Sequence, residues 1–97
     1  MNAGNQQNAE QKPIVLVVDG DIERRFRTSV YLQRLGYHAF AVGSAEEAIA
    51  ITGWTVPCIV ITELILPRMS GIELLKSIKQ EPRIDQVPVI IYTGIKD

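Results

Sequence analysis

Three carboxylates and a hydroxyl group stand directly after strongly apolar segments of this sequence. Asp19 and Asp21 follow the segment PIVLVV, Glu63 follows CIVIT, and Thr93 with Gly94 follows PVIIY. Continuous aliphatic segments of this kind are typical of strands that a parallel sheet buries on both faces. Functional groups of open α/β sheets gather at the carboxyl ends of such strands. If the first and third strands are neighbours, Asp19 and Glu63 therefore face each other at one end of the sheet.

The spacing of these residues indicates an acidic pocket. Two carboxylates held a few ångströms apart repel each other, so such a pair usually binds a hard cation or shares a proton. We expect Asp19, Asp21 and Glu63 to form this pocket, with the hydroxyl of Thr93 placed to donate to a phosphoryl oxygen. Gly94 would let that oxygen approach the backbone. The alternative is that the acids are ordinary polar residues in loops at strand ends.

The segments between the apolar stretches have helix signals. Ser44 with Glu47, and Ser70 with Glu73, stand three residues apart before apolar periodic segments, which is the pattern of a capping box. Gly36 follows the first helical segment and is a plausible terminator. The order is thus β-α-β-α-β-α-β with short connections, which predicts an α/β domain with a parallel sheet and right-handed crossovers.

Composition narrows the class of protein. Ninety-seven residues form at most one domain, and a net charge of -1 with a pI near 5.8 does not favour nucleic acid or an anionic membrane as a partner. The longest apolar runs are far shorter than the ~20 residues that cross a bilayer.

The single Cys58 forms no internal disulfide and is predicted to be a small core residue. We expect a cytoplasmic protein with a disordered polar tail over residues 1–12 and one domain over 13–97.

Three segments together resemble a known family. IVLVVDGD, CIVITELILPRMSG and VPVIIYTG, in this order and spacing, are similar to the receiver domains of response regulators in two-component signalling. The resemblance implies a flavodoxin-like fold with strand order 2-1-3-4, here lacking the usual last helix, strand and helix. In that family two adjacent acids hold Mg²⁺ and an aspartate accepts a phosphoryl group from a histidine kinase. A threonine or serine and a lysine then bind the phosphoryl oxygens.

Part of the family pattern is present at matching positions. Asp19 corresponds to the first acid of the metal-binding pair, and Thr93 corresponds to the switch hydroxyl. Glu63 occupies the phospho-acceptor position. The carbonyl of Ile65, two residues later, corresponds to the backbone metal ligand. The resemblance therefore implies Asp19, Glu63 and Ile65 as the candidate metal ligands.

The departures weaken the expected chemistry. Gly20 stands where the second acid belongs, with Asp21 one place late, and the sequence ends at Asp97 with no counterpart of the lysine. Glu63 replaces aspartate, and one additional methylene moves the carboxylate by over an ångström, a misplacement that can cost roughly 10²-fold. We expect no cofactor, and only weak Mg²⁺ binding if any. Glu63 either imitates the charge and reach of a phosphorylated aspartate or is a relic acid.

These features favour a degenerate receiver that is not an enzyme and acts as a phosphorylation-independent protein-interaction module. The alternative is a phospho-accepting receiver that uses Glu63 or Asp21 and takes its phosphoryl group from a histidine kinase with Mg²⁺. A nucleotide- or flavin-binding domain is disfavoured, because DGDIERR has one glycine and two acids where a phosphate loop needs several glycines.

The surface features concern partners. Strand four, Val89–Thr93, would form an exposed aliphatic edge. Either the sequence is a fragment or truncated product of a longer regulator, or this edge is covered by a partner protein or a second copy; we expect a homo-oligomer. A histidine kinase or a downstream regulator is the expected signalling partner. Arg24, Arg25 and Arg27 are interpreted as a solvated helical face, with a docking surface for an acidic partner as the alternative. On the same segment, Ile22, Phe26, Val30 and Leu35 recur at roughly helical spacing, which predicts a helix.

Overall fold

The structure, a computed structural model, describes residues 11–94 of the chain. Its described residues form four strands and three helices, in the order β1 (Ile14–Val18), α1 (Ile22–Arg34), β2 (His38–Val42), α2 (Ala45–Thr52), β3 (Ile59–Glu63), α3 (Gly71–Lys79) and β4 (Val89–Tyr92). None of these three helices is long and apolar enough to cross a membrane. Residues 1–10 of the predicted polar tail, and residues 95–97, lie outside the described part.

The strands form one parallel sheet in the order β2-β1-β3-β4, which confirms the predicted fold class and strand order. In this register Val18 pairs with Thr62, and Glu63 pairs with Tyr92. Asp19 is the next residue after Val18, so the carboxyl ends of β1, β3 and β4 are level. The register therefore brings Asp19, Glu63 and Tyr92 into one row across the end of the sheet.

Strand alternation decides which face these side chains share. Val15 and Val17 of β1 pack with Leu32 of α1 on one face of the sheet, together with Ile59 and Ile61 of β3. Because successive strand residues point to opposite faces, Asp19 and Glu63 continue this row on the α1 side. The opposite face carries the larger core, whose buried members include Leu16, Val18, Ala45, Ala48, Val60, Leu74 and Ile78.

The N-termini of the helices are fixed by the predicted caps. The hydroxyl of Ser70 accepts from the N–H of Glu73 at 3.1 Å, and the Glu73 carboxylate accepts from the N–H of Ser70 at 2.9 Å, a complete capping box. At α2 the Ser44 hydroxyl accepts from Glu47, but the Glu47 carboxylate accepts from Gly43. Both helices thus begin where the sequence predicts, with one cap differing in its second hydrogen bond.

The apolar spacing of α1 does not mark its buried face, and the packing prediction for Cys58 is wrong. Ile22 and Phe26 of α1 are 71% and 68% exposed, and Leu32 is the buried residue of this helix. Among the described residues, α1 is the helix that packs on the face of the sheet formed by Val15 and Val17. Only the side of α1 that contacts the sheet is therefore covered. Cys58 precedes β3 and is exposed, because it lies before the strand enters the sheet.

The last described strand lies at one side of the sheet. β4 pairs with β3 and ends at Tyr92, one residue earlier than predicted, so Thr93 follows the strand. Ile90 in the middle of β4 is 49% exposed. Within residues 11–94, β4 is thus an edge strand with an exposed aliphatic side chain.

Candidate acidic site at the carboxyl ends of the strands

Asp19 is the most deeply buried acid of the candidate site. Its side chain has no exposed surface and follows directly after β1. Its Oδ1 accepts a hydrogen bond from the N–H of Asp21 at 2.9 Å, and its Oδ2 accepts from the hydroxyl of Tyr92. A buried carboxylate requires such partners, because taking an unpaired charge out of water is costly.

Arg24 of α1 supplies the positive charge for this carboxylate. Its Nε donates to Asp19 Oδ2 at 2.6 Å and its Nη2 donates to Asp19 Oδ1 at 2.9 Å, a bidentate pair. The Arg24 side chain is 26% exposed, so the prediction that it lies on a solvated helical face is wrong. Arg25 also turns inward and donates to the carbonyl of Asp19, whereas Arg27, 69% exposed, does lie on such a face.

Glu63 is held by the same guanidinium. Its buried Oε1 accepts from Arg24 Nη2 at 3.1 Å and from the N–H of Gly94 at 2.9 Å. Its Oε2 accepts from the N–H of Ile65 at 3.1 Å. The structure therefore brings Asp19 and Glu63 together, as the sequence predicts, but with an arginine between them. Glu63 also connects the end of β3 to the segment after β4.

Asp21 differs from its predicted place in the pocket. It is exposed and is the N-cap residue of α1, where its Oδ1 accepts from the N–H of Arg24 at 2.9 Å. Its Oδ2 lies 4.0 Å from Arg24 Nη1. Asp21 therefore stands at the rim of the site, because capping the helix directs its carboxylate toward the backbone of the first turn.

Tyr92 is a site residue that the sequence left undecided between inward and outward positions. Its hydroxyl donates to Asp19, because its register with Glu63 puts it on the α1 side of the sheet. Thr93, the predicted switch hydroxyl, comes one residue later and is exposed. Strand alternation could have indicated the position of Tyr92, because alternate residues of a strand point to the same face. Which face lies inward is known only once the register of β4 with β3 is known.

The hydrogen bonds of the site shift the pKa values of its groups. Burial pushes the pKa of Asp19 upward, but the bonds from Arg24, Tyr92 and the Asp21 N–H outweigh it, so that pKa lies below its usual value. Burial and the bond to Asp19 raise the pKa of Tyr92. Hydrogen bonding to Asp19 likewise raises the pKa of Arg24. At neutral pH the site thus holds a carboxylate, a guanidinium and an un-ionised phenol in contact.

Acid is expected to destabilise the protein through Asp19. A carboxylate with a lowered folded-state pKa contributes stability above its unfolded value of 3.8, and loses that contribution as the pH falls toward the folded value. We expect the free energy of unfolding to fall between about pH 5 and pH 2, and Asp19→Asn to remove part of that fall. Urea unfolding at a series of pH values measures this difference. An equally steep acid dependence in Asp19→Asn would contradict the assignment.

Comparison with known proteins identifies the family. A sequence model of the response regulator receiver domain matches residues 15–97. This chain belongs to the response regulator receiver family. The receiver is 36% identical over 83 residues to the two-component response regulator ORR7 of Oryza sativa subsp. japonica, covering 84% of this chain and 39% of that protein. It is 29% identical over 93 residues to the hybrid signal transduction histidine kinase D of Dictyostelium discoideum, covering 96% of this chain and 6% of that protein.

Solved structures agree with this assignment. The chemotaxis response regulator CheY4 of Vibrio cholerae superposes with a TM-score of 0.82 at 25% identity, covering 90% of this chain and 72% of that chain. A response regulator receiver protein from Pseudomonas putida gives 0.81 at 30% identity with the same coverage of both chains. The flavodoxin-like receiver fold is therefore confirmed. The receiver spans well under two thirds of the length of the two curated relatives above.

Receiver domains in general bind Mg²⁺ at their phosphorylation site and act as signalling modules, not as classical enzymes. The residues of this receiver do not fit that ion. Gly20 offers no carboxylate, and both oxygens of Asp19 and Oε1 of Glu63 accept hydrogen bonds from Arg24. Oε2 of Glu63 accepts from the N–H of Ile65. Within residues 11–94, no group of three or more acidic, histidine or cysteine side chains is placed to hold a metal.

Proposed function

We propose that this receiver is a phosphorylation-independent protein-interaction module of two-component signalling, located in the cytoplasm. The observation that carries the proposal is the state of Glu63 at the acceptor position. Its carboxylate already accepts three hydrogen bonds, from Arg24, Gly94 and Ile65. An acceptor oxygen must direct a lone pair in line at the phosphoryl group, and three of the about four acceptor sites of the Glu63 carboxylate are already used by other donors, which hold it in its present orientation.

The same contacts suggest why the module needs no phosphoryl group to hold one conformation. Glu63 ties the end of β3 to the backbone of Gly94 after β4, at 2.9 Å. The carboxylate thereby uses a backbone donor that would otherwise be available to an anion at this end of the sheet. We propose that this bond keeps Thr93 and Gly94 in a single arrangement, so that a kinase or a downstream regulator would bind the same surface in every molecule.

The test is a phosphorylation assay without any partner. The protein is incubated with Mg²⁺ and acetyl phosphate, or with beryllofluoride, and followed by intact mass and by amide spectra. We expect no acid-labile mass gain and no movement of the Ile65 and Gly94 amides. A stoichiometric adduct on Glu63 would refute the proposal and favour the alternative, a receiver that accepts a phosphoryl group from a histidine kinase with Mg²⁺.

A second part of the proposal concerns self-association. The edge strand β4 has one strand neighbour in the described sheet and presents Ile90, 49% exposed. An exposed aliphatic edge is a template for another strand, and a lysine placed on it opposes such pairing. We propose that β4 (Val89–Tyr92, with Thr93 beyond it) pairs with a second copy of the chain.

Light scattering coupled to size exclusion tests this pairing. The wild type is expected to elute as a dimer, and Ile90→Lys as a monomer. Ile72→Lys is the matched control, because Ile72 is similarly exposed at 41% but lies on α3; this variant should remain dimeric. A monomeric wild type in dilute solution would contradict self-association through β4. The surface that binds other proteins would then have to be sought on another part of the receiver.

A further inference from the structure

One nitrogen atom lies at the point where the two acids of the site meet. Arg24 Nη2 is 2.9 Å from Asp19 Oδ1 and 3.1 Å from Glu63 Oε1. These are oxygens that would face a shared cation if the arginine were absent, since they converge on one atom. A cation at this point removes the repulsion between two buried carboxylates. In this chain the cation is part of the protein.

We propose that Arg24 is a tethered cation that replaces the divalent metal ion of the acidic site, so that the site is complete without Mg²⁺. The inference deepens the proposed function and rests on it, because both proposals hold that the site keeps its conformation without a bound metal ion or phosphoryl group. It goes further by naming the residue responsible. Removing the guanidinium should turn the site into one that binds a divalent cation.

The hydrogen-bond capacity of Asp19 supports the replacement. An ionised carboxylate has about four acceptor sites. Asp19 receives four donors, namely Nε and Nη2 of Arg24, the N–H of Asp21 and the hydroxyl of Tyr92. With these sites filled, Asp19 has no lone pair directed at a metal. A metal ion would therefore have to displace Arg24 and would repel its positive charge.

The backbone around the guanidinium is shaped to accommodate it. A Cβ atom on Gly94 would lie 2.5 Å from Arg24 Nη1 and 2.6 Å from its Cζ, so any side chain there would collide with the guanidinium. At the other end of the residue, the backbone N–H of Arg24 donates to the N-cap carboxylate of Asp21 at 2.9 Å. Gly94 leaves room for the guanidinium group of Arg24, and the N-cap bond fixes the backbone of the same residue. These two features are separate from the hydrogen bonds that the guanidinium makes to Asp19 and Glu63.

The experiment compares the response of three proteins to Mg²⁺ by thermal unfolding, with sodium chloride matched for ionic strength. Arg24→Met keeps part of the side-chain stem and removes the charge. We expect roughly 10 mM Mg²⁺ to raise its melting temperature by about 5 °C, as a ligand that binds only the folded state does. The wild type and Arg27→Met, which removes an exposed charge from the same helix, should not respond. Adding Asp19→Asn to Arg24→Met should abolish the response.

Each outcome decides the proposal. A wild type stabilised as much as Arg24→Met, or an Arg24→Met protein that Mg²⁺ does not stabilise, would overturn it. If Arg24→Met is unfolded without Mg²⁺, recovery of its amide spectrum on adding Mg²⁺ supports the proposal, and no recovery contradicts it. In the wild type, Mg²⁺-dependent movement of the Ile65 and Gly94 amides would also overturn it. No phosphoryl donor is present, so this test and the phosphorylation assay can fail separately.

Discussion

Replacing Arg24 by methionine is expected to lower the free energy of unfolding by about 3 kcal/mol at pH 7. The reason is that Asp19, which has no exposed side-chain surface, would lose two charge-assisted hydrogen bonds and its counter-charge at once. Removing one partner of a buried ion pair costs roughly 3–5 kcal/mol. The lower end applies here because Arg24 is itself 26% exposed and solvent can partly compensate. Urea unfolding monitored by circular dichroism measures the change.

The control for this substitution is Arg27→Met, made three positions later on the same helix. Arg27 is 69% exposed and lies 3.9 Å from Glu23, so its loss should cost no more than about 0.5 kcal/mol. In the Asp19→Asn background, Arg24→Met should cost less than in the wild type, because Glu63 is then the one buried carboxylate of the site that loses its counter-charge. Equal costs for the two arginine substitutions at pH 7 would refute the central role of Arg24.

Gly94→Ala is expected to cost about 2 kcal/mol, a large effect for one added methyl group. The new Cβ would lie within 2.9 Å of three guanidinium atoms of Arg24, so the guanidinium must leave Asp19 or the backbone must shift. The first change breaks the bonds from Arg24 to Asp19, and the second weakens the bond from the Gly94 N–H to Glu63. Chemical denaturation gives the size of the loss, and the amide shifts of Ile65 and Gly94 show whether the site moves.

A double-mutant cycle separates this collision from a general intolerance of alanine. Once Arg24→Met has removed the guanidinium, Gly94→Ala should cost little, so the two substitutions should be strongly non-additive. Gly20→Ala is the matched glycine control, because the nearest atoms to its Cβ lie at 3.6 and 3.7 Å, an ordinary contact distance. Full additivity of Gly94→Ala and Arg24→Met would show that the two residues do not compete for the same space.

Much of the fold could be predicted from the sequence because its signals are local and repeated. β1, β3 and β4 lie within aliphatic segments, and α2 and α3 begin directly after the serines Ser44 and Ser70. The buried face of α1 could not be predicted this way. Ile22 and Phe26 follow helical spacing but are exposed, because periodicity indicates an apolar stripe without showing what covers it.

The sequence by itself determined that Asp19 and Glu63 stand at the carboxyl ends of strands, since both follow aliphatic segments. That these strands are neighbours was implied by the family resemblance, and the pairing of β1 with β3 confirms it. Only the tertiary structure decided what lies between them. The position of Arg24 along the chain gave a weak indication of its role. A positive charge in the first turn of a helix is unfavourable with respect to the helix dipole, so a nearby acid is expected to compensate it. Choosing that acid, and turning Tyr92 inward, depends on contacts between residues as far as 73 positions apart. Such contacts follow from strand register and helix placement, which no local pattern of residues specifies.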